Sequence, residues 1–311
     1  MTVQRVGYLV VLLSACSSPP GATPDAPAGI DGAIDGSIDT GVDAPVDAGL
    51  STQIAYRSGN DIWVMDADGG NKQNLTNTGV ISEDQPAWSP DRTKIAFHSD
   101  RDDVGEIYVM NADGSNVVRL TNVIGENDAQ PTWSPDGTKI AFTSRRDHLI
   151  GSIYVMNADG SNQQRLTNSP PASDDYPTWS PDGTKIAFGT NEGNNLHIAM
   201  VDSNGGNRVG VTAPTESATK PAWSPDGTKI AFSLAAGTSQ IFVIAPNGTG
   251  QVQLTTPSAQ GEDDPSWSRD GLRIAFSRNI SGQTHILTAL VSGGGELDIA
   301  GPAGAPIDPS W

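Results

Sequence analysis

The phrase WSPDGTKIAF occupies residues 133–142 and recurs unchanged from Trp179 and from Trp223. Close variants start at Trp88 (WSPDRTKIAF) and Trp267 (WSRDGLRIAF), and Trp311 stands alone at the end of the sequence. These tryptophans are spaced by 45, 46, 44, 44 and 44 residues. A fixed period in the forties restricts a chain to propeller blades or helical arrays, because one such unit cannot bury its apolar face alone. The turn chemistry excludes the helical arrays. Ser-Pro-Asp-Gly sets Pro at the second position of a type I turn and Gly where a positive φ is needed. Pro-x-Trp before it and Lys-Ile-Ala-Phe after it are then the two strands of a hairpin.

A second hairpin follows in most units. IYVMNADGSN occurs at 107–116 and 153–162, with relatives at 62–71, 198–207 and 241–250. Each reads as an apolar strand, an Asx-Gly turn and a polar strand ending in Leu-Thr, as at Leu75-Thr76, Leu120-Thr121, Leu166-Thr167 and Leu254-Thr255. Every unit therefore holds four strands, a (Pro-x-Trp), b (Ile-Ala-Phe), c (Ile-Tyr-Val-Met) and d (Arg-Leu-Thr). Strands b and c are apolar on both faces, as in a sheet covered on both sides. The small Ala96, Ala141, Ala187, Ala231 and Ala275 leave room for a close-packed neighbour. Four-stranded antiparallel sheets repeated radially make a β-propeller. The b strands at 54, 95, 140, 186, 230 and 274 predict six blades. The repeat region opens on a strand b (Gln53-Ile54-Ala55-Tyr56) and closes on a strand a (Ile307 to Trp311), so the C-terminal strand is expected to complete the N-terminal blade.

The segment before the repeats is a different text. Arg5, the apolar run Val6–Leu13 and Leu13-Ser14-Ala15-Cys16 suit an export signal and are too short to span a bilayer. Leu-Ser-Ala-Cys resembles the bacterial lipobox, which implies lipid attachment at Cys16 after cleavage. Cys16 is the only cysteine, so no internal disulfide is expected and packing alone holds the fold. Residues 17–52 carry six Asp and no Lys or Arg among Ala, Gly and Pro, a composition too poor in apolar surface to fold. They read as an acidic tether with a reach of roughly 30–36 Å. A calcium-binding Asp-Gly repeat is the alternative. The domain plan is thus 1–16 signal peptide and lipobox, 17–52 tether, and 53–311 propeller.

The D-x-P-x-W-S-P-D-G-x-x-I-A-F phrase resembles the WD-repeat-like propeller repeat of the TolB family, over roughly residues 53–311. That resemblance implies an envelope protein whose propeller binds other proteins. TolB itself carries an additional N-terminal α/β domain, and here the acidic tether takes that place. The sixth blade also drifts, with Arg269 for the turn Pro and Asp298-Ile299-Ala300 for Leu-Thr.

Net charge is −18, with a pI near 4.3, which argues against nucleic acid or an anionic membrane surface as a main partner. In a propeller the a–b and c–d turns share one face and the b–c and d–a loops the other. The first set is nearly invariant between units and the second varies, which is where binding resides on a rigid frame. Acids gather just before strand a: Glu83, Asp84, Asp128, Asp174, Asp175, Glu216, Glu262, Asp263, Asp264 and Asp308. They are expected to form a broken carboxylate ring at the channel mouth, able to hold Ca²⁺ or a basic peptide segment. Solvated loop acids are the plainer reading. Arg101, Arg145 and Arg146 fall on the same face, as surface charge or as partners for a ligand's carboxylates.

His98, His148, His197 and His285 share no metal-ligand spacing. Asp66-Ala67-Asp68-Gly69 lacks the remaining ligands of a calcium cage and reads as a hairpin turn. No G-x-S-x-G elbow is present, and no Gly-rich phosphate loop opens a helix. These readings predict a monomeric, non-catalytic envelope lipoprotein without a resident cofactor. It would be retained at the outer membrane (Ser17 follows Cys16), touch the membrane only through its lipid, and bind a protein or peptide. Two alternatives remain. One is a polysaccharide-cleaving propeller similar to oligogalacturonate lyases, and the other is a calcium- or carbohydrate-binding envelope module.

Overall fold

The computed structural model describes residues 53–311, except Asp103, Ile124, His148, Leu149 and Pro302. The signal segment, Cys16 and the tether lie outside the described residues. The described chain forms six four-stranded antiparallel sheets, and one short 3-10 turn at Glu192–Asn194. In chain order the inner strands of blades II to VI are Glu83–Trp88, Asp128–Trp133, Asp174–Trp179, Ala218–Trp223 and Glu262–Trp267. Blade I joins Gln53–Ser58, Asp61–Asp66 and Gln73–Asn74 to the C-terminal Ile307–Ser310, which pairs antiparallel with Gln53–Ser58. The inner strands neighbour one another in sequence order, and Ile307–Ser310 lies between those of blades VI and II, so the ring closes. The six-bladed propeller and its closure by the C-terminal strand stand as the repeat predicts.

The core consists of six clusters, each shared by two adjacent sheets. One holds Ala55, Ile62 and Val64 of blade I against Trp88, Ile95, Phe97, Tyr108 and Met110 of blade II. The next repeats it with Ala96, Ile107 and Val109 against Trp133, Ile140, Phe142 and Tyr154. The middle Ala of five b strands therefore faces the Trp and Phe of the following blade, while Ala275 meets Tyr56 and Trp311 of blade I, and these methyls set the spacing between sheets. Phe97, Phe142, Phe188, Phe232 and Phe276 are all fully buried.

The repeated turn residues hold local structure. In Ser134–Gly137 the Gly137 amide donates to the Ser134 carbonyl at 2.9 Å, and Gly137 has φ +71°. Asp136 accepts from the Ser134 hydroxyl at 2.6 Å and from the Thr138 amide at 3.0 Å. The Thr of Leu-Thr caps strand c, its hydroxyl accepting the amide of Ile107 (Thr121, 2.9 Å) or Ile153 (Thr167, 3.0 Å), and Thr212 of Val211-Thr212 does the same for Ile198 at 2.9 Å.

Candidate functional site

Five of the inner strands begin earlier than Pro-x-Trp suggests. Most of the acids expected in the d–a loops are instead the opening residues of strand a, whereas Glu216 does stay in its loop. That shift divides the sequence-predicted acids into three positions with different fates.

Acids at the first position turn inward. Glu83, Asp128 and Glu262 are 0% exposed and Asp174 is 1% exposed. Each meets an arginine: Arg101 for Glu83, Arg146 for Asp128 at 2.5 Å, Arg208 for Asp174 at 3.0 Å, and Arg278 for Glu262. The guanidinium lies over the Phe of the same blade, at 5.4 Å for Arg146 on Phe142 and 4.8 Å for Arg208 on Phe188. Burial pushes the Asp128 carboxyl above the usual range, although the Ser144 hydroxyl and Arg146 oppose that shift. These four acids, with Arg101 and Arg146, belong to the frame. They form no open carboxylate ring, because leaving either charge unpaired at that depth would be costly.

At the second position, partly exposed acids link neighbouring elements. Asp84 meets His98 Nδ1 at 2.9 Å and Arg57 at 3.7 Å. Asp175 accepts from the Ser173 hydroxyl at 2.6 Å and lies 3.5 Å from Arg145, which is 45% exposed. Asp263 accepts from Lys220 and from the Ser233 hydroxyl, both at 2.6 Å.

The third position lines the channel. Gln85, Gln130, Tyr176, Lys220, Asp264 and Asp308 each precede a proline and each have φ between +53° and +58°. Blades II to VI all show a register shift here, as between Asp84 and Ala87 or between Asp263 and Ser266. Proline cannot donate to the ladder, so within a sheet it sits at an edge or a bulge. The extra residue of a bulge re-aims its side chain. Here all six line one cavity of about 190 Å³ with the prolines between them. Only Asp264 and Asp308 of this set were marked by their charge. The recurring x-Pro of strand a was the signal for the other four.

Charge is unevenly spread around that cavity. Lys220 reaches Asp264 at 2.5 Å and Asp263 at 2.6 Å, and its ammonium lies 5.3 Å from the centroid of the Tyr176 ring. Burial alone would lower the Lys220 pKa, but Asp264 and Asp263 outweigh it and drive it upward. Burial raises Asp264, opposed by Lys220. Burial and then the Asp264 charge raise Asp308 well above the ordinary carboxylate range. Gln130 spans two seams, since its amide donates to Gln85 Oε1 at 2.9 Å and its Oε1 accepts the Tyr176 amide at 2.8 Å, while the Thr143 hydroxyl of its own blade donates to the same Oε1 at 2.6 Å.

His197 and His285 occupy equivalent positions on strand c, as their places in the repeat predict. His197 Nδ1 lies 3.1 Å from the Asn195 carbonyl, and His285 Nδ1 lies 2.7 Å from Asp298. His148 is outside the described residues. Among the described residues no three His, Cys, Asp or Glu side chains are grouped to hold a metal ion.

The profile of a family described as the TolB beta propeller domain matches residues 44–224 and 152–311. No curated protein matches the sequence. Among solved structures, TolB from Acinetobacter baumannii superposes with a TM-score of 0.74 at 23% identity, over 84% of this chain and 66% of that one. The present chain thus spans just under two thirds of that protein. A putative TolB from Agrobacterium tumefaciens gives a TM-score of 0.68 at 20% identity, over 83% of this chain and 92% of that one. An oligogalacturonate lyase in complex with manganese gives 0.54 at 14% identity, over 80% and 73%. At these identities the likeness is one of fold.

Proposed function

The chain belongs to the TolB beta propeller domain family, and from that premise we propose that it is a non-catalytic scaffold of the cell envelope. It binds a protein or peptide on the face bearing the b–c and d–a loops. Export and anchoring through a lipid on Cys16 belong to the same reading, supported by the Leu13–Cys16 motif. The observation that carries it is the set of six bulged side chains around one cavity, built onto inner strands whose own charges are largely neutralised internally. A rigid frame with a chemically varied rim suits recognition, because ordering the site costs little when a ligand arrives. Asp264 and Asp308, balanced by Lys220 alone within the cavity lining, favour a ligand segment bearing a cationic group. The exposed Val80 and Val104 on the surrounding loops offer apolar contact to the rest of a partner.

The test is capture from envelope extract with the full-length protein as bait, against a variant carrying Asp264→Asn and Asp308→Asn. Partners retained by the wild type and lost by the variant are expected. Equal recovery by both baits would remove the channel mouth from the binding site.

A further inference from the structure

The six bulged side chains around the channel cavity are not equally engaged. Gln85 Oε1 accepts the Gln130 amide at 2.9 Å and Gln130 Oε1 accepts the Tyr176 amide at 2.8 Å, so on that side the side chain of one blade holds the backbone of the next. On the other side Lys220 is taken up by Asp264 at 2.5 Å and by Asp263 at 2.6 Å. Asp264 also accepts from the Ser277 hydroxyl at 3.0 Å. Asp308 stands apart. It is half-buried and lines the cavity, and its carboxyl group makes no hydrogen bond or ion pair with another described residue.

Charged groups face Asp308 from every side. Burial first, then Asp264 on the inner strand of blade VI, raise its pKa; Lys220 of blade V opposes, Asp84 of blade II adds, and Arg57 of blade I opposes again. Tyr176 of blade IV faces the same group across the cavity, and blade III contributes the neutral Gln130. Both cations are committed elsewhere. Lys220 is held by its two aspartates, and Arg57 by Asp84 at 3.7 Å and the Gly59 carbonyl at 2.8 Å. The ring therefore contains one carboxyl group that has no cation of its own.

Neutral acceptors share that cavity. The Ser310 hydroxyl accepts the Trp88 amide at 3.2 Å, the Ser266 hydroxyl accepts the Trp311 amide at 2.9 Å, and Gln85 Oε1 accepts the Gln130 amide. Each of these oxygens has two lone pairs, so each retains acceptor capacity. A primary ammonium brings one charge and three donors, which suits one uncommitted carboxylate among neutral acceptors. The prolines between the bulged residues give the cavity of about 190 Å³ an apolar wall, along which the methylene stem of a lysine can lie. We infer that the channel, taken as the binding site proposed above, admits a lysine side chain of the partner, whose ammonium pairs with Asp308 and displaces its proton. One O–H bond on Asp308 breaks and the proton leaves to water, while the ammonium keeps all of its own. Linkage is reciprocal: the lysine binds more tightly as pH rises through the Asp308 titration, and a bound lysine draws that titration to lower pH.

The test is isotope-edited NMR of the Asp carboxyl carbons in the full-length protein, with the Asp308 signal identified by its loss in Asp308→Asn. Its titration is followed alone and with N-acetyl-lysine amide, glycylglycine amide, tetramethylammonium chloride or calcium chloride at matched ionic strength. N-acetyl-lysine amide should move the Asp308 midpoint about half a pH unit or more to the acid side, roughly a threefold loss of proton affinity. It should also release protons into weakly buffered solution. That release should vanish in Asp308→Asn and persist in Asp175→Asn, which lies outside the cavity lining. No displacement, an equal one with tetramethylammonium, a larger one with glycylglycine amide or calcium, or proton release retained in Asp308→Asn would overturn the inference. If it is overturned while the Asp264→Asn, Asp308→Asn bait still loses envelope partners, the scaffold reading stands and the proton exchange alone fails.

Discussion

Ser310 lies opposite Ala55 in the closing sheet, and its hydroxyl accepts the backbone amide of Trp88 at 3.2 Å. On the other side, the Trp311 amide donates to the Ser266 hydroxyl at 2.9 Å. The last residues of the chain therefore tie blade I to blades II and VI at once. A chain ending at Pro306 leaves blade I without an inner strand and both seams unsupported. It should lose the single cooperative transition of the full-length protein. Thermal denaturation followed by far-ultraviolet circular dichroism reads this out, and a wild-type curve would contradict closure by this strand.

Arg145 and Arg146 are adjacent in sequence but differ in role. Arg146 is 14% exposed against a fully buried Asp128, so Arg146→Met strands that carboxylate and should cost about 3–5 kcal/mol. Arg145 and Asp175 are 45% and 23% exposed, so Arg145→Met should change stability by less than about 1 kcal/mol. Urea titration of both variants checks the contrast, and equal losses would sink it.

The methyl of Ala141 fixes the separation of blades III and IV, since it packs in one cluster with Trp179 and Phe188. Ala141→Leu forces extra volume into a closed seam and should destabilise by about 1–3 kcal/mol. Ala141→Gly should cost less, because the neighbouring rings can settle inward. The reverse order in thermal melts would show that the seam has slack.

Asp308 carries a folded-state pKa raised by burial and by Asp264. Between its unfolded and folded values the native state holds the extra proton, so stability falls as pH rises through that window. Asp308→Asn should accordingly raise the melting temperature at pH 7 and lose that advantage towards pH 4. The turn carboxylates Asp136 and Asp226 have the opposite sign. Hydrogen bonds from Ser134 and Ser224, together with those from the following Thr, hold their pKa values low, so their contribution is lost as acid protonates them. Melting temperatures of both proteins across that pH range test the two signs together.

The ring was legible because Trp-to-Trp spacing, Ser-Pro-Asp-Gly turns and two-faced apolar strands all specify the same unit. The rim was less so. Counting residues back from Trp88 or Trp133 with strict alternation misses the inserted residue before Pro86 or Pro131, so facing cannot be assigned from period alone. The buried pairs had a faint signature: Glu83 to Arg101 and Asp128 to Arg146 share one offset. Arg208 breaks that pattern by reaching Asp174 from beyond strand c, and only the fold reveals it. The divergence of blade VI was visible at Arg269 and Leu272, which replace the turn Pro and Thr of the preceding blades.

The bulges free six side chains from the hydrogen-bond ladder that sets the shape of each wedge. Substituting Gln85, Gln130, Tyr176, Lys220, Asp264 or Asp308 therefore alters the lining of the pore while the scaffold around it keeps its dimensions. Relatives that exchange residues at these places could acquire new selectivity one blade at a time, without first having to re-evolve a foldable body.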